Sequence, residues 1–222
     1  MSTVTRKLIA KELYVNRWFM VTGAVAGVAS VVIASTGKTG FNIGALTWIT
    51  SIIAVGVMLA IYGIQNERKE NSLLFVLSLP LSTGDYVRAK QIGLALCYFV
   101  PWFISSATAI AMILFSPERP HGFLPYLILL CTFLITNFSL VLCGALHVKS
   151  EGLMSAVVIV TNMAVTLFMF LIGAIDDINA HMWGPAPVWN GAFWTVLTIE
   201  LITLVVAFTL PFFVAARRRD FI

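Results

Sequence analysis

Glu200 is the one charged residue set deep inside an apolar run of this chain, in Leu197-Thr198-Ile199-Glu200-Leu201-Ile202. Insertion scales put a carboxylate at the centre of a lipid-crossing helix at about 2.5–3.5 kcal/mol, so such a residue turns toward another helix, a partner or water. Two roles fit it: a polar group on a translocation path or in a proton relay, or a neutral carboxylic acid held by hydrogen bonds. The other chemistry-bearing residues do not gather into a reactive set. His121, His147 and His181 fall at the edges of apolar runs or between them. Cys97, Cys131 and Cys143 lie within such runs, odd in number and without a CxxC pair, and read as packing residues rather than disulfide or metal partners. There is no HExxH, no pair of intramembrane aspartates and no GxSxG, so neither a catalytic set nor a metal site is expected. Gly37-Lys38-Thr39 ends like a phosphate-binding loop. However, the first glycine of GxxxxGK[ST] is replaced by Val32 and no strand precedes it, so nucleotide binding by this chain is not expected.

The elements that must position these residues are membrane spans. Hydrophobic residues make up 59% of the 222 positions, charged residues 11%, and mean hydropathy is +0.95. Soluble domains carry about a quarter charged residues, so this chain is too poor in charge to cover a globule in water. Crossing about 30 Å of hydrocarbon takes roughly 20 apolar residues as a helix. Six segments qualify: Trp18–Ser35, Ile43–Ile64, Ile92–Phe115, Phe123–His147, Leu153–Ile175 and Ala192–Ala215. Their apolar runs are continuous and lack the alternation of barrel strands, which predicts an all-α, polytopic membrane protein. The whole of 1–222 reads as a single transmembrane domain. The first run is expected to be a retained span rather than a cleaved signal, because it is long and no small-x-small site follows it.

Orientation follows from the basic residues. With the N-terminus inside, twelve of the 14 lysines and arginines lie on the inner side, leaving Lys38 and Arg119 outside. That bias sets both termini in the cytoplasm. It also accounts for the net charge of +4, and with no basic stripe interleaved with aromatics nucleic acid is not an expected partner. Residues 1–17 precede the first span and mix Val4, Leu8, Ile9, Leu13 and Val15 with basic residues, as a short amphipathic helix on the inner interface or a solvated arm would. Residues 176–191, with Trp183, Pro185, Pro187 and Trp189, are expected at the outer interface. Gly23, Gly27, Ser30 and Ala34 form a small-residue stripe along the first span, suited to close approach by a neighbouring helix or a second subunit.

The inner segment 65–91 is the most informative. Charged residues at Glu67, Arg68, Lys69 and Glu70 precede Leu73, Leu74, Leu77 and Leu81, which follow one helix face. Pro80 interrupts, and Ser82 with Asp85 suits the start of the next helix. A short amphipathic helix beside water calls for a protein partner or the membrane surface.

The strings Glu67-Arg68-Lys69-Glu70-Asn71-Ser72, Leu77-Ser78-Leu79-Pro80-Leu81-Ser82 and Asp85-Tyr86-Val87-Arg88-Ala89-Lys90 resemble the first cytoplasmic loop of ABC-2 type transporter permeases. The resemblance implies a permease subunit of an ATP-driven exporter in the plasma or inner membrane of a bacterial or archaeal cell, paired with a second copy or a paralogous permease subunit. It implies that Glu67 to Leu77 form a coupling helix docked on an ATPase subunit, with Glu67, Arg68, Glu70, Ser72, Leu73, Leu74, Leu77 and Pro80 at that contact. Lys149 and Glu151 would make a second, smaller contact, residues 176–191 an outer cap, and the N-terminal arm an interfacial helix. No ATPase motif is present, so ATP and its Mg ion would be bound by the partner chain. A non-transporting sensor or immunity subunit and a secondary transporter are the alternative classes. A proton-coupled carrier usually carries more buried charge than Glu200 and inverted repeats, which are not seen.

Overall fold

The computed structural model describes residues 3–69, 83–116, 119–148 and 150–217. Helix α1 spans Thr3–Val15 and α2 Arg17–Ala34. Helix α3, Lys38–Ala60, runs through a π-helical turn, Ile61–Gln65, into the short α4, Asn66–Lys69. Then come α5 (Thr83–Phe115), a 3-10 turn at His121–Phe123, α6 (Leu124–His147), α7 (Glu151–Gly173), α8 (Asp176–Met182) and α9 (Gly191–Arg217). Among the described residues there is no strand, and α2, α3, α5, α6, α7 and α9 are each long and apolar enough to cross a membrane. The protein is an all-α, polytopic membrane protein. Inner and outer ends are named below from the distribution of basic residues.

Two features of the inner end depend on partners from elsewhere in the chain. The third span, Ile92–Phe115, is the outer part of a longer helix that begins at Thr83 with Asp85 in its first turn, where Ser82 and Asp85 signal a helix start in the sequence. Lys90 and Gln91 are buried there; both find partners in the protein, so hydropathy alone could not place the start. The arm is helical, and its inward face carries the half-buried Leu8, Ile9 and Leu13 together with polar residues, while Arg6, Lys7 and Lys11 stay exposed. Thr5, Glu12 and the junction residue Asn16 are buried, while Tyr14 and Val15 are exposed. At the break between α1 and α2 both the backbone N–H and the side-chain amide of Asn16 donate to the Glu12 carbonyl, at 3.0 and 2.9 Å.

The core lies between α2, α3, α5 and α6. Tyr98 of α5 stacks on Phe138 of α6 at 4.0 Å between ring centroids, and its hydroxyl donates to the Leu134 carbonyl at 3.0 Å. Trp102 donates from Nε1 to the Cys131 carbonyl at 2.9 Å. Both rings therefore bury their apolar bodies without leaving a polar tip unmet. The small-residue stripe of α2 is used inside the chain. A Cβ at Gly23 would fall 2.5 Å from Val55 of α3, and one at Gly27 2.5 Å from Ser105 of α5. Farther along, Ser30 and Ala34 back onto Gly44. Of the two partners the stripe allows, a neighbouring helix of the same chain occupies it.

Helices α7 and α9 sit at the edge: α7 packs on α6 and α8, and α9 on α6 and α5. Their outward residues, among them Val160, Met163, Phe170, Ile202 and Phe213, are exposed apolar surface suited to lipid or another membrane helix. At the outer end, α8 buries Ile178 and Met182 against Leu129 and Phe193 while Trp183 stays exposed. Asn190 holds this cap to the last span. Its Oδ1 accepts the Phe193 N–H at 2.9 Å, as an N-cap does, and its Nδ2 donates to the Asp177 carbonyl at 2.6 Å.

Candidate functional site at the inner end

Four charged side chains from three elements meet where the second span leaves the bundle. Lys90 of α5 projects under α1, and its Nζ lies 2.7 Å from Glu12 Oε1 and 2.7 Å from Glu67 Oε1. Lys11 Nζ lies 3.1 Å from the same Glu67 oxygen, and Tyr86 donates its hydroxyl to Glu67 Oε2 at 3.2 Å. Tyr86 and Lys90 are four apart on one helix, so they share a face and grip Glu67 together. The side chains of Lys90 and Glu12 are 3% and 6% exposed, that of Glu67 17% and that of Lys11 47%. Among the described residues two carboxylates and two ammonium groups balance, which is the condition for holding such charges out of water.

The approach of α1 depends on Gly93, where a Cβ would sit 2.8 Å from Glu12 Cβ. Beneath the helix, the Cys97 thiol donates to the Glu12 carbonyl at 3.7 Å. Burial by itself would raise the Glu67 carboxyl, but the ammonium groups of Lys90 and then Lys11 outweigh it and hold the group below its ordinary 4.5. Glu67 is therefore a carboxylate at neutral pH. The result is a charged knot that joins the interfacial helix, the base of the inner loop and the third span.

Of the sequence-derived contact residues, Glu67 is in this knot and Arg68 lies on α4. Glu70, Ser72, Leu73, Leu74, Leu77, Pro80 and Lys149 lie outside the described residues. Glu151 opens α7 at the same inner end, and its carbonyl accepts the Ser155 hydroxyl at 3.0 Å. Glu200 faces inward on α9 near Cys131 of α6, only 4% exposed, with neither carboxylate oxygen hydrogen-bonded to a described residue. It is thus far from the knot, in the outer half of α9. Lower on the same seam, Gln91 Nε2 donates to the Phe208 carbonyl at 2.5 Å, tying α5 to α9. Among the described residues no three His, Cys, Asp or Glu side chains gather as metal ligands would.

Sequence reasoning missed Glu12, the only acidic residue of the first seventeen. Its lone negative charge amid four basic residues was the available signal. Tyr86 and Lys90 were visible only as parts of a longer string, although their spacing of four already put them on one face.

The sequence matches no protein-family model and no curated protein sequence.

Proposed function

We propose that this protein is the permease subunit of an ATP-driven exporter, forming its pathway with a second copy or a paralogous subunit. The observation that supports this reading is the buried knot at Glu12, Glu67 and Lys90. A loop that only joined two spans would not require its base to be fixed by charges taken out of water. A loop that receives a push does, because displacement reaches the bundle only through rigid contacts. In the proposed mechanism an ATPase subunit binds the amphipathic stretch Glu67 to Leu77, and ATP-driven closure moves it. The knot passes that movement to α5 through Lys90 and to α1 through Glu12. Helix α1 passes it to α2 across Asn16, whose two hydrogen bonds to Glu12 stiffen the junction.

The π-helical turn at Ile61–Gln65, directly before the loop, agrees with this reading, since such turns cluster at functional sites. The sparsely packed α7 and α9 leave apolar faces for a second permease subunit, and Glu200 supplies a polar group inside the seam for passing cargo.

Co-purification from the native membrane tests the proposal. An ATPase subunit is expected to copurify with the wild-type chain, and Leu74→Asp and Glu67→Arg are expected to weaken the complex by at least tenfold. If no ATPase binds, or if both variants retain it like wild type, the proposal is wrong.

A further inference from the structure

Two connected cavities open at the outer end, on the side away from the knot. The upper one, of about 400 Å³, is bordered by Lys38 and Arg119. The lower one, of about 710 Å³, continues down α3 toward α6 and α7. Phe41, Asn42, Phe123 and Trp183 line both, so the two form one groove. Among the α3 residues that line it, Lys38, Asn42, Leu46, Ile49 and Ile53 share one face at spacings of three and four. From Lys38 to Ile53 that face rises about 22 Å. One leaflet, headgroup region included, is about 20–22 Å thick. The groove therefore has the height of one lipid molecule, cationic at the top and hydrocarbon below.

Chemistry follows the same gradient. Lys38 and Arg119 are the two basic residues of the outer side. Arg119 donates from Nη2 to the Ala34 carbonyl at 2.7 Å and lies 4.7 Å from the Phe41 ring centroid, which fixes its guanidinium at the rim. Neither cation has an acidic partner among the described residues. Asp176 and Asp177 of the outer cap do not border either cavity. Asn42, one turn below Lys38, stands at the depth of ester carbonyls. Trp48 also lines the groove; it is 4% exposed, and its indole N–H has no acceptor in the described chain. Leu46, 67% exposed, marks a side open to the bilayer, where α3 and α7 do not pack closely.

From this we infer that the groove between α3 and α7 holds an anionic acyl lipid of the outer leaflet, its headgroup on Lys38 and Arg119 and a chain along Leu46, Ile49 and Ile53. The inference stands whether or not the protein is a transporter.

Native mass spectrometry of the purified full-length protein with phosphatidylglycerol or phosphatidylcholine tests it. The wild type is expected to bind one phosphatidylglycerol with a preference of roughly tenfold or more over phosphatidylcholine, and free glycerol 3-phosphate is expected not to compete. A cation near a lipid surface contributes enough that Lys38→Gln, at an exposed helix end, should lose roughly fivefold, and Lys38→Gln/Arg119→Gln roughly thirtyfold. Leu46→Trp, at an exposed position that needs no repacking, should lose both lipids. Equal binding of the two lipids by wild type, a preference undiminished in Lys38→Gln, unchanged binding in Leu46→Trp, or displacement by glycerol 3-phosphate would each overturn the assignment.

Discussion

Replacing Lys90 by methionine tests the knot with little change in side-chain volume. Lys90 Nζ makes two contacts of 2.7 Å, each worth about 6 kcal/mol of gross Coulomb energy at an effective dielectric of about 20. Desolvation offsets most of that. What remains on removing one partner of a buried set is about 3–5 kcal/mol, because Glu12 and Glu67 lose the cation they share and Lys11, beside Glu67, is half exposed. The loss should fall on the docking of α1 before it reaches the core, since the knot is the main polar bond between α1 and α5. Cys97 reports this locally, being fully buried beneath Glu12. In a Cys131→Ala/Cys143→Ala background, maleimide labelling of Cys97 should rise roughly a hundredfold or more in Lys90→Met, the factor that about 3 kcal/mol sets for an opening equilibrium. Glu12→Leu/Lys90→Met should label more slowly than Lys90→Met alone, because it strands one less buried charge. Labelling of Lys90→Met within about threefold of the background, or purely additive effects in the double variant, would refute the claim that these charges hold α1.

Three further outcomes follow from the same geometry. Glu67, held below its ordinary 4.5, contributes stability that is complete above that pH and lost as pH falls through the lowered value. The gap in thermal midpoint between wild type and Glu67→Gln should therefore be constant from pH 7 to about 5 and shrink in more acidic buffer. Gly27→Leu should destabilise the isolated chain by about 1–3 kcal/mol, since Ser105 already fills the space a side chain needs. A stripe reserved for a second subunit would instead change oligomer size and leave the chain's own thermal unfolding in detergent unmoved. Glu200→Leu should stabilise the isolated chain in detergent by about 2–3 kcal/mol, because it removes a buried carboxylate that no described residue hydrogen-bonds. Under the proposed function it should also lower cargo-stimulated ATP hydrolysis by the assembled complex. A thermal midpoint unchanged or lowered would show that Glu200 has a protein partner.

The six spans were legible because lipid imposes its requirement on every residue of a crossing helix, and continuous runs such as Leu124–His147 carry that signal without help from tertiary contacts. The inner ends were less legible. There a charge can be buried if a partner arrives from elsewhere in the chain, and Lys90 and Glu12, 78 positions apart, satisfy one another. Hydropathy counts both as water-facing, so the apolar run begins only at Ile92 although the helix signalled by Ser82 and Asp85 starts at Thr83, and nothing in the pattern of α1 marked Glu12 as buried. The stripe at Gly23 and Gly27 could be read as a contact surface, but its partner could not, because small residues admit any close helix. The outer groove was not legible at all: Lys38 and Arg119 are 81 positions apart, and only the packing of the outer helix ends brings them to one rim.

The central claim is that the segment after the second span, anchored by this knot, docks an ATPase subunit. A photo-crosslinking amino acid at Leu74, compared with one at the bilayer-facing Leu167 of α7, tests it in native membranes. The account predicts a crosslink from Leu74 to a nucleotide-binding subunit that is lost with Lys90→Met, and none from Leu167. A Leu74 crosslink only to lipid or to this same chain, or one to an ATPase subunit that is indifferent to Lys90, would contradict it.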